Sequence, residues 1–243
     1  MWHGYDGDGD SYMHSSFLGQ TKYEMLTQEL EQNYYKTIES IIKYGGFYIG
    51  RYETGGLSKN AVVRKMNTDI AGLNWHKMYR TCLTLKGTNN NVKTMMIYGS
   101  LWDETLEWLR ESEATISDGT KLNYQLIGKD STAWGNYYNS TFSYIAENSE
   151  KPIETETKEM NNAERIPTGS SEYTRTNNIY DMTGNTEAWT PENSYSGSRS
   201  QRGGEYRKKG EYSTAAGHSG VYYVGGYLSG DEHTGCRVIL LIE

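Results

Sequence analysis

Apolar positions first keep a helical interval over Met25 to Tyr44, where Leu26, Leu30, Tyr34, Ile38, Ile41 and Ile42 would share one face. Thr21 followed by Glu24 has capping-box spacing, and Gly45-Gly46 supplies the stop. Phe47 to Glu53 then reads as an aromatic-rich strand with partial alternation. A second helix is expected over Asn74 to Leu85, ending near Lys86-Gly87, and a short buried strand over Thr94 to Tyr98. Ser100 with Asp103 would cap a third helix, Leu101 to Arg110, which carries Trp102 and Trp108. Trp102, Trp108 and Trp189 are expected in the core, because their segments are the most regular.

Beyond residue 111 no apolar period lasts more than a few residues, and Ser, Thr, Asn and Gly dominate. Disordered chains are poor in aromatics. The scatter of Tyr124, Trp134, Tyr137, Tyr138, Tyr144, Tyr173, Tyr180 and Trp189 therefore predicts long irregular loops pinned by rings. The chain closes on Gly235 to Ile242, read as one terminal strand. Residues 1–20 read as an arm or linker and 21–243 as a single domain. No internal repeat is visible.

Composition changes this picture at one point. The chain has 243 residues with 22 Tyr and 27 Gly, but only 3 Phe and 3 Pro. Aromatic surface is thus carried by the residue with a polar handle, the one favoured where a half-buried surface grips something. The formal net charge of −7 argues against a phosphate-backbone binder. The longest aliphatic run, Val238 to Ile242, is far below the roughly 20 residues needed to span a bilayer. Met1 leads into Trp2-His3-Gly4-Tyr5 without a basic and then apolar stretch, so no signal peptide is expected. Cys82 and Cys236 allow at most one disulfide.

Candidate chemistry is sparse. Asp6-Gly7-Asp8-Gly9-Asp10 opens like a calcium loop, but Ser11 stands in place of the turn Gly and Phe17 in place of the bidentate Glu. His3, His14, His76, His218 and His233 show no zinc-helix spacing, and no nucleophile elbow accompanies them. His3 and His14 are expected in solvent, His76 on a helix surface and His218 in a binding face. The carboxylate pairs Asp103/Glu104 and Glu111/Glu113 read as solvated helix faces.

Four segments together resemble the formylglycine-generating enzyme (sulfatase-modifying factor) family, which has a C-type-lectin-like fold. They are Gly46 to Glu53, Gly99 to Trp108, Asn178 to Thr190, and Arg202-Gly203-Gly204 coupled to Gly235-Cys236-Arg237-Val238. Order and spacing are similar over roughly residues 45–243. The resemblance implies an α+β, C-type-lectin-like domain with mixed short strands, two or three helices and long irregular loops. The enzymes of that family carry two copper-binding cysteines shortly after Arg-Gly-Gly. Here those places hold Lys208 and Ser213, which cannot supply soft thiolates for Cu(I). Cys82, on a helix, and Cys236, on a buried strand, are not expected to replace them. The family's calcium loop would retain Asn185, but Ala188 stands for its Glu and Glu187 for the preceding Trp. No metal ligand or cofactor is therefore assigned and no enzymatic activity is expected, with calcium held through Asn185, Glu187 and backbone carbonyls left open.

A non-enzymatic branch fits better: the chain resembles the variable proteins of diversity-generating retroelements. In them the variable stretch runs from about Arg-Gly-Gly to the closing Gly-x-Arg-Val strand, here about 199–235. Mutagenised Asn codons in that system yield mostly Tyr, Ser, Gly, Ala, His, Asp and Val, which prevail in this window. Lys208 and Lys209 depart from that set. The resemblance implies a face carried by Glu205, Tyr206, Tyr212, Ser213, His218, Val221, Tyr222, Tyr223 and Tyr227. Tyrosines among small residues such as Ser219, Gly220, Gly225 and Ser229 match antibody-like contact surfaces. The partner implied is a macromolecule, protein or glycan, on a cell surface, without nucleic acid or membrane insertion, and with oligomerisation left open. The location implied is extracellular, at a phage tail tip or bacterial surface. The alternatives are a copper oxidase of the parent family, a calcium-dependent sugar lectin and a purely structural tail or adhesin component.

Overall fold

Helix α1 (Gln20–Tyr44) opens the computed structural model, which describes residues 20–56, 60–155, 160–193, 198–222 and 232–243. Side chains are described from residue 28 onward, apart from positions 161, 193, 198 and 220–222. The expected arm, with Asp6 to Asp10, His3 and His14, lies outside the described residues. Thr21 lies within α1, and the side chains of the expected Thr21/Glu24 capping box lie outside the description.

The inward stripe of α1 is also rotated from the expected one. Leu30, Asn33, Thr37 and Ser40 are buried, with Tyr34 and Ile41 beside them, while Ile42 is 79% exposed. At 3.6 residues per turn Ile42 lies about 120° around the helix from Leu30. The polar members of the stripe are satisfied across the interface. Asn33 Nδ2 donates to Tyr79 Oη at 2.7 Å, its Oδ1 accepts Lys93 Nζ at 2.6 Å, and Ser40 Oγ donates to the Ile242 carbonyl at 2.8 Å. Hydrogen bonding, not apolar area alone, selects the face.

The remaining elements follow in order. Helix α2 (Trp75–Thr84) starts on Asn74, whose side chain accepts from Lys77 N, and ends on Leu85. Strand β1 (Tyr48–Ile49), β2 (Val92–Met96) and β11 (Val238–Ile242) form an antiparallel sheet ordered β1-β11-β2. Helix α3 (Gly99–Glu111) begins after Tyr98, which gives no side-chain cap, so Ser100 lies within the helix instead of capping it. Helix α4 is the short Tyr124–Gly128. Two two-stranded sheets, β3–β4 (Ser143–Ile145 with Pro152–Glu154) and β5–β6 (Arg175–Thr176 with Ile179–Tyr180), lie in the irregular part. The fourth sheet is ordered β10-β7-β8-β9, from Thr234–Cys236, Glu187–Asn193, Ser198–Arg202 and His218–Tyr222. Among the described residues this is a mixed α+β fold of four helices and four small sheets.

Alternation in the three-stranded sheet feeds two cores. Met96 and Val238 pack with Leu30, Trp75, Met78, Tyr79, Cys82, Trp189 and Cys236. Met95, Ile239 and Leu241 pack with Leu101, Trp102, Leu106, Leu109 and Trp134. Trp102 and Trp189 are buried as expected, whereas Trp108 is 51% exposed on the outer face of α3, and His76 is buried on α2. Trp134, Tyr137, Tyr180 and Trp189 are buried and Tyr138, Tyr144 and Tyr173 half-buried in the irregular half; Tyr124 is 65% exposed and reaches α3 only at the surface, donating to Glu107 at 3.2 Å beneath Arg110.

The closing segment is not one strand. β10 pairs with β7 in parallel, β11 pairs with β1 and β2, and Arg237 is the residue between them. Its guanidinium is buried and donates to the carbonyls of Gly50 at 2.7 Å, Tyr180 at 2.7 Å and Asp181 at 2.9 Å. The same break shortens the expected 47–53 strand. Gly50 N donates to the Val238 carbonyl at 2.9 Å, and Thr54 N donates to the Cys236 carbonyl at 3.0 Å, one contact on each side of Arg237.

Candidate functional site: the base and turns of residues 199–235

Strand β8 delivers Arg202 to the foot of α3. Its guanidinium makes a bidentate contact with Asp103, at 3.1 Å to Oδ1 and 3.0 Å to Oδ2, and Nε donates to Glu192 Oε2 at 3.2 Å. The Arg202 side chain is only 6% exposed, so both carboxylates compensate a desolvated cation. Glu192 lies over the first residue of α3, where a Cβ on Gly99 would fall 1.8 Å from its carboxylate. A carboxylate there also faces the positive end of the helix.

After Arg202 the chain must turn against the tryptophan of α3. Gly203 has φ +90°, and a Cβ there would stand 2.8 Å from the Trp102 ring and 2.9 Å from the Met182 carbonyl. Gly204 follows at φ +72°. Both are in the left-handed region that only glycine enters freely. The Arg-Gly-Gly motif is thus one ion-pair anchor and two backbone turns.

The turns that follow are held on their inner side. Trp102 Nε1 donates to the Ala215 carbonyl at 2.9 Å, Ala215 N to Ser131 Oγ at 2.9 Å, and Ala216 N to the Ile127 carbonyl at 3.0 Å. Tyr137 Oη donates to the Ser213 carbonyl at 2.5 Å, and Ser131 N to the Gly210 carbonyl at 3.1 Å. Strand β9 then returns along β8 as the sheet edge, with His218 opposite Arg202 and Tyr222 opposite Ser198.

The predicted site residues separate into three groups on this frame. Glu205 and Tyr206 point inward, at 2% and 9% exposure. Glu205 Oε2 accepts Arg207 N at 3.1 Å and lies 3.8 Å from His233 Nδ1, and Tyr206 Oη lies 3.1 Å from the same nitrogen. These two tie the start of the window to its end. Tyr212 is 79% exposed, His218 is exposed, and Ser213 is half-buried. Val221 and Tyr222 belong to β9 through their backbone, their side chains lie outside the description, and Tyr223 and Tyr227 lie outside the described residues altogether. Lys208 is exposed and Lys209 half-buried.

Beneath this frame lies a buried polar centre that sequence reading did not assemble. Glu53, Asp181, Asn185 and Arg237 are all at most 3% exposed. Asn185 Nδ2 donates to Glu53 Oε2 at 2.6 Å, and its Oδ1 accepts both Asn136 Nδ2 at 3.0 Å and Ile166 N at 2.9 Å. Both lone-pair positions of that side-chain oxygen are used. Asp181 Oδ2 accepts Thr168 Oγ1 at 2.7 Å and Gly169 N at 2.8 Å. Burial, then the nearby Asp181 carboxyl, pushes Glu53 far above the usual carboxylate range, against the pull of Arg237. Burial raises Asp181 as well. The signal was available: these residues lie in three of the four singled-out segments. Their convergence was not, because they are up to 184 positions apart (237 minus 53).

The free thiols of Cys82 and Cys236 lie 3.6 Å apart in the second core, Cys82 Sγ donating a hydrogen bond to Cys236 Sγ. They are enclosed by Leu30, Trp75, Met96 and Val238 and do not reach the turns at Lys208 and Ser213. Among the described residues no group of three or more His, Cys, Asp or Glu is placed to hold a metal ion. No helix among them is long and apolar enough to cross a membrane.

Neither a scan of protein-family models nor a search of curated proteins returns a match. Among solved structures, the chain is similar to Treponema denticola variable protein 1, at 12% identity and a TM-score of 0.33, over 62% of this chain and 48% of that one. The match spans about half the length of that protein.

Proposed function

We propose that this protein is a binding module of C-type-lectin-like architecture that presents residues 205–235 to a macromolecular target, as a diversity-generating retroelement variable protein would. The observation that carries the reading is the division of labour around Arg-Gly-Gly. From Gly210 to Ala216 the turns are held through their backbone carbonyls and amides, after the two glycine turns and the Arg202 ion pairs; side-chain anchoring is confined to the buried Glu205 and Tyr206 and to Arg207. Backbone anchors do not depend on side-chain identity. Exposed positions such as Tyr212 and His218 can therefore vary while the turns hold their shape. Exposed tyrosine beside small residues provides rigid contact area at low entropy cost. The target class is a protein or glycan at a cell surface, and the module binds without catalysing a reaction.

The experiment is deep sequencing of the encoding locus across sibling isolates. Diversity confined to exposed codons of 205–235, with a nearby template copy differing only at adenines, is the expected result. Equal diversity at Arg202, Gly203, Gly204 and Tyr137, or a uniform window without a template, would overturn the reading.

A further inference from the structure

We propose that Cys82 and Cys236 close into an intramolecular disulfide under oxidising conditions, a covalent staple between helix α2 and strand β10. The two residues are 0% and 1% exposed, and both thiols are free in this structure. Cys82 Sγ donates to Cys236 Sγ at 3.6 Å. An S–S bond is about 2.05 Å long, which leaves the sulfurs about 1.5 Å to travel. Rotation about the two Cα–Cβ bonds is the motion that closes this gap. The surroundings are apolar and include Leu30, Trp75, Met78, Met96 and Val238.

Both cysteines are carried by elements fixed to the same strand. β10 pairs with β7 in parallel, and Cys236 lies opposite Trp189. Helix α2 is held to β7 by Trp75 Nε1, which donates to the Thr190 carbonyl at 2.9 Å. The fold therefore keeps the thiols in contact, and a bond between them orders nothing new. In the unfolded chain the same bond joins residues 154 positions apart, and so long a loop loses the most entropy on closure. The staple thus favours the folded state. Its position also matters, because β10 ends the 199–235 window while Arg202 and its ion pairs secure the start. The inference does not rest on the binding reading, since its test reads thiols and stability.

The step is thiol–disulfide exchange, with a low-molecular-weight disulfide as the oxidant. The thiolate of one cysteine attacks that disulfide, forms a mixed disulfide and releases one small thiol. The thiolate of the other cysteine then attacks the protein-side sulfur, which forms the Cys82–Cys236 bond and releases the second small thiol. Two cysteine protons pass to the two released thiols; the cysteines are oxidised and the small disulfide is reduced. In the closed fold the hydrogen bond to Cys236, then burial, hold the Cys82 thiol above its ordinary range. Exchange therefore runs while the chain folds or opens, and the closed fold retains the product.

The test refolds the whole chain from denaturant, once in excess oxidised over reduced glutathione and once in excess reductant. Each product is weighed intact before and after maleimide labelling in denaturant. The oxidised product should be about 2 Da lighter than the reduced chain, take no label, and yield a peptide joining positions 82 and 236. Its urea midpoint should lie above that of the reduced chain and return to the reduced value when a dithiol reductant is added. In C82A and in C236A the midpoint should not respond to the redox buffer. Two labelled thiols, a glutathione adduct in place of the cross-link, or a bond between chains overturns the inference. So does a midpoint that the bond lowers or leaves unmoved, or one that responds equally in either variant. Should a variant fail to fold, mass and labelling of the unaltered chain still decide the matter.

Discussion

A methyl group added at Gly203 would meet the Trp102 ring and the Met182 carbonyl in a backbone region that costs about 1–3 kcal/mol for other residues. Gly203→Ala is therefore expected to lower unfolding free energy by at least that amount in urea titrations. A loss below about 0.5 kcal/mol would mean the turn can rearrange. The cysteines make a second residue-scale prediction. The hydrogen bond to Cys236, followed by burial, raises the Cys82 thiol well above its ordinary range. A thiol so held is a poor nucleophile. Neither Cys82 nor Cys236 should react with a thiol reagent at neutral pH until the chain is unfolded, and fast native-state labelling of either would contradict the packing.

Among the elements, α3 and the β8 end act as one unit through Arg202. Removing the cation leaves Glu192 and Asp103 facing each other near the helix start, while removing one exposed carboxylate leaves the other pair intact. Arg202→Ala should cost about 3–5 kcal/mol, the range for breaking a buried pair. Asp103→Asn should cost under about 1 kcal/mol, since Asp103 is 54% exposed and its contact is screened. Thermal or denaturant unfolding of the two variants checks this ordering, and equal losses would refute the ion-pair account. The helix α1 shows why element boundaries were easier to read than faces. Its end at Tyr44 follows from the period and the Gly45-Gly46 stop, but its inward stripe is set by Asn33, Thr37 and Ser40, which periodicity scores as surface.

For the whole molecule, the buried Glu53, Asp181 and Arg237 centre couples fold stability to pH. Two carboxyls share one guanidinium, so electroneutrality in the interior requires one retained proton. Burial and then the Asp181 carboxyl push Glu53 from 4.5 up to about 8, so it is the group expected to retain that proton. In that interval the native state binds more protons than the unfolded state, so stability falls as pH rises. The chain should be more resistant to denaturant near pH 5 than near pH 8, and Glu53→Gln should flatten that slope. A stability that rises steadily from pH 5 to pH 8 would show that Glu53 is ionised in the fold. This same centre joins the first, third and fourth singled-out segments, and Trp102 joins the second to the turns. Their spacing along the chain is a consequence of that meeting.

Local rules account for much of the architecture. Helix α2 lies within one residue of the expected ends because Asn74 is a strong cap and the apolar period is regular. The ring-pinned character of residues 111–190 was also legible, because aromatics in a polar stretch have to be buried somewhere. Three features were not local. The terminal segment splits at Arg237 because a buried guanidinium collects carbonyls from positions 50, 180 and 181. Glu205 and Tyr206 turn inward because His233, 27 and more positions later, stands behind them. The buried centre of Glu53, Asp181, Asn185 and Arg237 exists only because segments far apart in the chain converge. Periodicity and capping act over a turn or two of chain. Satisfying buried charge and polar atoms requires partners wherever the fold brings them, and no pattern along the sequence records that.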